Sequence, residues 1–316
     1  QLLICSLFAL FLACASETSV QWFKGSYSEA LAQAETQNKP ILVDFYSHTW
    51  GPCNRLEQLV FQNSEHATFI NEHYVPFKIV KDEGEYKELR ELFNMIGFPT
   101  IIVLGPDGQE RDRIVGFGGD TDAFMKKIKD WAENENTLIS YQEQWKQDST
   151  NVEWNYRIAK RYIDRAQMEK AHRFFRNIVK LDSQNTSGHL NFARFNLALY
   201  EVRYNSNPEP LEEFLSEETD LDRLETAYFS LARHYEAKND TLKAVGIYQQ
   251  AVEKLPDNED LLNSAAWFVH SNKLSSYFEW GITLAERAVE LAPPDAAIWH
   301  TLARLYHDNG AYEKAV

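Results

Sequence analysis

The first half of the chain alternates apolar runs of strand length with stretches of helical periodicity. Residues 26–39, "SYSEALAQAETQNK", begin with a capping box formed by Ser26 and Glu29, which predicts the start of a helix. Residues 40–47, "PILVDFYS", are almost continuously apolar, as in a strand that is buried on both faces of a sheet. A helix followed by a buried strand therefore opens this half.

Further strands and helices follow in the same half. We predict helices in residues 54–61, 64–73, 83–96 and 120–133, and strands in residues 75–80, 99–104 and 113–117. Asp107 and Gly108 form a hairpin-turn signal between the last two strands. Strand–helix alternation that ends in a hairpin and a last helix predicts an α/β fold, a mixed sheet flanked by helices.

From about residue 150 the strand signals disappear and a repeat takes their place. Its small, aromatic and proline positions resemble those of the tetratricopeptide repeat (TPR), which is about 34 residues long. The copy that starts near Glu225 carries Ala232, Tyr235, Ala244, Tyr248, Ala251 and Pro256. Copies in the same register begin at Val152 and Ala296, with looser ones between them. We therefore expect an all-α TPR solenoid rather than a generic helical bundle, because small residues let paired helices approach closely.

Length and charge narrow the classes of function. The 316 residues are enough for about two domains, and we place these at residues 22–134 and 150–316. The net charge is −15 and the isoelectric point is about 5.1. Nucleic acids and anionic lipids bind basic surfaces, so neither is expected as a general partner.

The N-terminal residues have the features of an export signal. An apolar run from Leu2 to Ala13 is too short to span a bilayer but long enough for a signal-peptide core, which we place in residues 1–15. Two cleavage patterns compete here, a small-x-small site around Cys14 and a loose lipobox in which Cys14 would carry lipid. A buried N-terminal helix is the third interpretation. The absence of an initial methionine and of a basic region suggests truncation at this end, and the repeat that breaks off at Val316 suggests it at the other.

Residues 22–134 resemble the thioredoxin superfamily around a short motif that contains Cys53. Gly51 and Pro52 precede this cysteine, and Asp44 lies nine residues before it. The resemblance implies that Asp44 is the buried carboxylate that assists proton transfer to the second active-site cysteine.

Two more positions extend this resemblance. Lys78 occupies the strand position whose lysine approaches the buried aspartate in thioredoxins. "GFPT" places Pro99 where thioredoxins hold a cis proline beside the active site. The resemblance also implies a substrate groove, to which we assign the residues of the motif and of its neighbouring loops: Trp50, Gly51, Pro52, Phe98, Pro99 and Gly116.

The motif departs from the family at its first position. Trp50 stands where thioredoxins carry the exposed cysteine that attacks substrate disulfides. An indole can neither ionise as a thiol does nor attack a disulfide, so an internal dithiol cycle is not available to this motif. Three interpretations of Cys53 remain open: a buried fossil thiol, a monothiol that forms mixed disulfides, and a working site in which Trp50 is a local variant or a sequence error.

Other chemistry finds less support in the sequence. His48, His66 and His73 have no compact ligand spacing, so we expect no metal site, and no motif implies a cofactor. The glycines of "VGFGGD" lack the spacing of a nucleotide-binding loop.

Two hypotheses about function follow from these patterns. The first is an exported bacterial protein, periplasmic or anchored to the cell envelope, that binds a protein or peptide client through its TPR groove. In this hypothesis contact with a membrane is made only through lipid on Cys14. The second is a thiol–disulfide oxidoreductase in which Cys53 acts alone, or with a cysteine of a partner, assisted by Asp44 and Lys78.

Overall fold

The protein was studied as a computed structural model that describes residues 19–315. The proposed export signal and Cys14 lie outside these residues. The chain divides into two compact units, one that reaches to Asn177 and one that starts at Ile178. No helix among residues 19–315 is both long and apolar enough to cross a membrane.

The first unit is built on a mixed four-stranded sheet. Its strands are β1 (Ile41–Tyr46), β2 (Val75–Val80), β3 (Thr100–Leu104) and β4 (Glu110–Val115), and their spatial order is β2-β1-β3-β4. β1 is parallel to β2 and antiparallel to β3, and β3 and β4 form the hairpin that the Asp107–Gly108 signal predicts. The predicted mixed sheet is confirmed.

Helices cover both faces of this sheet. They are α1 (Tyr27–Gln37), α2 (Gly51–Leu56), α3 (Ser64–His73), α4 (Tyr86–Leu92) and α5 (Thr121–Ala132). α1 and α4 pack on one face with Ile41, Val43 and Phe45, whereas α3 and α5 pack on the other with Leu42 and neighbouring apolar residues. Since alternate residues of β1 point to opposite faces, its continuous apolar run supplies both cores. The predicted helix over residues 54–61 begins at Gly51 and ends in a π-helical turn, Glu57–Phe61.

Three more helices belong to the first unit: α6 (Leu138–Gln147), α7 (Val152–Asp164) and most of α8 (Met168–Leu181). A buried ionic cluster joins them to β4. The Asp112 carboxylate accepts from the Leu138 N–H at 2.9 Å, lies 3.1 Å from Nε of Arg161 and accepts from Arg165 at 2.6 Å. Arg165 also donates to Glu110 at 2.9 Å. The first helical hairpin therefore packs on the sheet that precedes it.

The second unit is made of antiparallel helix pairs. Its helices are α9 (Leu190–Asn205), α10 (Glu209–Leu215), α11 (Leu221–Ala237), α12 (Thr241–Lys254), α13 (Glu259–Ser271), α14 (Phe278–Leu291) and α15 (Ala296–Asp308). The small residues of the predicted repeat, such as Ala232, Ala244 and Ala266, are fully buried between helices. TPR-like helix pairs are thus present. The looser repeat has its extra residues between α13 and α14, where a 3₁₀ turn (Ser275–Tyr277) lies.

Candidate functional site

The site around Cys53 is positioned by the turn that leads from β1 into α2. The carbonyl of Trp50 accepts hydrogen bonds from the N–H groups of Cys53 at 3.0 Å and Asn54 at 3.3 Å, so that Trp50 is the residue from which the helix starts. Pro52 lies in the first turn, where its fixed φ suits a helix and its missing N–H costs nothing. The Trp50 side chain is 52 % exposed. An indole therefore stands at the surface of the turn.

Cys53 lies beneath this surface. It is 1 % exposed and is the free cysteine among the described residues. Burial raises the pKa of its thiol, and the nearby Asp44 carboxylate raises that pKa further. A thiol that is buried and protonated is a poor nucleophile, because the thiolate is the attacking species.

Asp44 and Lys78 lie opposite each other on the parallel strands β1 and β2. Asp44 is fully buried, and within residues 19–315 neither of its carboxylate oxygens has a hydrogen-bond partner. Its Oδ2 is 3.7 Å from Nζ of Lys78, which instead donates to Glu57 at 2.5 Å. Burial raises the pKa of Asp44 to about 7, against the opposing effect of Lys78.

Lys78 is enclosed by groups that sequence reasoning did not assign to the site. Its Nζ lies 4.3 Å from the ring centre of Trp22 and 4.8 Å from that of Tyr46, distances at which an ammonium is attracted to aromatic faces. Glu57 was missed as well. Its position four residues after Cys53, hence on the same face of the helix, is the signal that could have identified it.

The predicted groove residues lie on two further loops. The Phe98–Pro99 peptide bond is cis, and the Pro99 carbonyl accepts from the Gly116 N–H at 2.8 Å. Gly116 has φ +82°, a left-handed conformation that glycine adopts without a steric penalty. The Phe98 ring stacks on Tyr86 at 6.2 Å, where it packs against the core formed by α1 and α4. The structure thus brings Asp44, Lys78 and Cys53 into one cluster, and it connects Pro99 with Gly116 by a hydrogen bond.

We find no group of three or more histidine, cysteine or acidic side chains in residues 19–315 that could hold a metal ion. His73 is occupied by local contacts, since its ring stacks on Phe69 and its Nδ1 is 2.9 Å from the Phe69 carbonyl oxygen.

The second unit carries a cavity of about 330 Å³ between α11, α12 and α13. Arg233, Asn263 and Trp267 are among its lining residues. Trp267 is 42 % exposed, and its ring lies 5.8 Å from that of His300. In the part of the chain that the structure describes, the buried Oδ1 of Asn263 has no hydrogen-bond partner. We call this the α11–α13 cavity.

Two family models match this chain. Residues 27–132 match a thioredoxin-like domain, and residues 177–316 match the model of the ChAPs (Chs5p-Arf1p-binding proteins). The chain therefore carries a thioredoxin-like domain, followed by a helical region with TPR-like repeats.

Known relatives are similar to the thioredoxin-like domain only at low identity. The disulfide bond reductase DsbH of Chlamydia pneumoniae is 26 % identical over 121 residues, which are 35 % of this chain and 72 % of that protein. The thiol:disulfide interchange protein DsbD of Haemophilus influenzae (strain PittEE) is 30 % identical over 99 residues, 30 % of this chain and 17 % of that protein. Among solved structures, YrrB, a TPR protein with an unusual peptide-binding site, is 14 % identical, with a TM-score of 0.42 over 56 % of this chain and 87 % of that chain.

Proposed function

With a thioredoxin-like domain at residues 27–132 and TPR-like helices behind it, we propose that this protein is an exported binding or scaffolding protein of the bacterial cell envelope. Its helical unit would hold a protein or peptide client in the α11–α13 cavity, where Trp267 offers an apolar platform and Arg233 and Asn263 offer polar groups. The thioredoxin-like domain would add a second binding surface around Trp50 and Pro99.

The observation that supports this proposal is the pairing of an exposed Trp50 with a buried Cys53. A dithiol oxidoreductase needs an exposed thiolate to attack and a second thiol to resolve the mixed disulfide. Here the exposed position carries an indole, and the thiol that remains is shielded and has a raised pKa. The motif is therefore better suited to apolar contact than to disulfide exchange.

The test is an insulin-reduction assay on the mature protein and on Trp50→Cys, with dithiothreitol as the reductant. We expect no turnover above background by the wild type. Trp50→Cys restores Cys-Gly-Pro-Cys on a fold that keeps Asp44, Lys78 and the cis Pro99, so it should gain thioredoxin-like activity. Trp50→Ala is the matched control, because it opens the turn without adding a thiol. Wild-type turnover at a rate close to that of Trp50→Cys would contradict the proposal.

A second candidate function rests on Asp44. Its buried carboxylate has no hydrogen-bond partner among residues 19–315 and acts electrostatically on Cys53, so it could accept the Cys53 proton. Cys53 would then attack a partner's disulfide, forming one mixed disulfide and releasing the partner's other sulfur as a thiolate. In the same assay series, incubation with glutathione disulfide followed by intact-mass measurement distinguishes the two functions. Stoichiometric glutathionylation of the native wild type within minutes favours the monothiol function, and its absence favours the binding function.

A further inference from the structure

One of the two edges of the sheet is formed by β2. The Val75 N–H donates to the Pro40 carbonyl and the Lys81 N–H to that of Tyr46, each at 2.9 Å. Because the backbone groups of successive strand residues point to alternate sides, the odd-numbered residues of β2 face β1. The even-numbered residues, Pro76, Lys78 and Val80, therefore direct their backbone groups away from the sheet.

The chain itself occupies both ends of this outer edge. The Phe23 N–H donates to the Pro76 carbonyl at 2.7 Å, and the Glu83 N–H donates to that of Val80 at 3.1 Å. Pro76 has no N–H to leave unpaired, as is typical of proline on an edge strand. Between these ends, no hydrogen bond from residues 19–315 reaches the N–H or C=O of Lys78 or the N–H of Val80.

A cavity of about 430 Å³ runs along these unpaired groups. Four consecutive residues of β2, Phe77 to Val80, line it. Since successive side chains point to opposite faces of a sheet, a cavity lined by consecutive residues lies along the edge of the strand and not on one face. The segment from Phe23 to Ser26 and the loop with Glu83 and Glu85 flank it. We call this the β2 edge site.

Acidic side chains outnumber basic ones among the residues that line the β2 edge site. Glu83 and Glu85 are exposed beside it; Oε2 of Glu85 accepts from the Tyr27 N–H at 2.6 Å, and Oε1 of Glu83 lies 3.8 Å from Nε2 of His48. The ammonium group of Lys78 does not offset them, because it donates to Glu57 at 2.5 Å and lies 3.7 Å from the buried Asp44. A basic ligand is therefore favoured over an acidic one.

We propose that the β2 edge site binds an extended, basic segment of a partner polypeptide, which adds to the sheet as a fifth strand. Two outward N–H groups and one outward C=O at strand spacing match the acceptors and donor of an extended backbone, the mode of recognition known as β-augmentation. Glu83 and Glu85 would then pair with lysine or arginine side chains of that segment. This site uses the outward backbone groups of Lys78 and Val80 and not the thiol of Cys53, and it goes beyond the function proposed above.

The test uses the full chain and two synthetic peptides, acetyl-(Val-Lys)3-amide and acetyl-(Val-Glu)3-amide. We expect the lysine peptide to bind with shifts centred on the backbone amides of Lys78 and Val80 in ¹⁵N NMR spectra, and the glutamate peptide to bind at least tenfold more weakly. Val80→Pro removes one outward N–H and spares the bonds to β1, so it should weaken binding of the lysine peptide about tenfold. Val80→Ala keeps this N–H and is the matched control, with affinity within twofold of the wild type.

A second variant keeps the test decisive if Val80→Pro does not fold. Glu83→Lys leaves the backbone bond to Val80 in place and, because Glu85 remains, should abolish the preference for the lysine peptide over the glutamate peptide. The proposal is overturned if millimolar lysine peptide leaves both amides unshifted, or if Val80→Pro and Val80→Ala bind it equally. It is also overturned if sedimentation shows a dimer that Val80→Pro dissolves, because the edge would then pair with a second copy of the chain.

Discussion

Asp44 and Asp112 are both fully buried in the first unit, but they differ in the groups that surround their carboxylates. Asp112 accepts from two backbone N–H groups and from Arg165, and Arg161 lies 3.1 Å away. Among residues 19–315, Asp44 has as its cationic neighbour a lysine 3.7 Å away that is held more closely by Glu57. A buried carboxylate with strong partners stabilises the ionised form, and one without them opposes it. Replacement by asparagine should therefore stabilise the protein at Asp44 and destabilise it at Asp112.

Asp44→Asn should stabilise the protein at alkaline pH and have little effect in acid. Folding raises the pKa of Asp44 from 3.8 to about 7, so the native state keeps a proton that the unfolded state has lost between these values. The resulting destabilisation is absent below pH 3.8, grows as pH rises and is complete above pH 7, where three pKa units correspond to at most about 4 kcal/mol. Urea unfolding of wild type and variant at pH 4.5 and pH 8 measures it.

Asp112→Asn is the matched control for this experiment. It leaves Arg161 and Arg165 without their shared carboxylate and should lower the free energy of unfolding at both pH values. A stabilising effect of Asp44→Asn that is equally large at pH 4.5 and pH 8 would show that packing, and not ionisation, is responsible.

At the scale of elements, the contact between α7 and β4 depends on ion pairs whose partners lie far apart in sequence. Arg165 follows α7 directly, is buried and bonds to both Asp112 and Glu110. Loss of one partner from such a cluster leaves charges that are buried and unpaired.

Arg165→Met should lower the free energy of unfolding by roughly 3–5 kcal/mol, because it leaves two carboxylates short of a partner. Arg157→Met is the control, since Arg157 pairs with Glu153 at a half-exposed position of α7, beside the Tyr141 ring, and solvent-screened pairs contribute at most about 1 kcal/mol. Both values come from urea titrations followed by circular dichroism. Equal losses for the two variants would contradict a special role for the cluster.

Periodicity predicted the elements themselves, but it could not predict this cluster. The strands, the hairpin and the buried alanines of the repeat follow from local patterns that one stretch of chain carries alone. From the sequence pattern alone, Arg161 and Arg165 are ordinary charged residues of a repeat helix. Asp112 is, on the same basis, an ordinary polar residue of a hairpin strand. Their meeting depends on how α7 folds back over the sheet. The same is true of Trp22, whose ring contacts the Lys78 ammonium group although the two residues lie far apart in the sequence.

At the scale of the whole molecule, the thioredoxin-like unit is larger than the domain range of 22–134 proposed from the sequence, if the compact unit that reaches to Asn177 folds as one body. A fragment of residues 19–181 should then unfold in a single transition. A fragment of residues 19–134 should unfold at lower urea concentration, since it lacks the Leu138 N–H and both arginines that surround Asp112.

Urea titration of the two fragments beside the full chain measures this difference. Equal midpoints for the two fragments would show that α6 to α8 are independent of the sheet. The first domain would then end near residue 134, as predicted from the sequence.

The two edge strands of the sheet, β2 and β4, differ in whether their outward backbone groups are hydrogen-bonded. At β4 the outward N–H of Arg113 is taken by the Asp112 carboxylate at 2.8 Å, and α6 packs beside the strand. At β2 the outward groups of Lys78 have no partner among residues 19–315. Two copies of a sheet that has one receptive edge can pair through that edge only once. If two molecules were to meet edge to edge under crowded conditions, the pair would close on itself by two-fold symmetry and expose no new edge for a third. Fibre growth by strand addition, the usual hazard of an open edge, is thereby limited to a dimer.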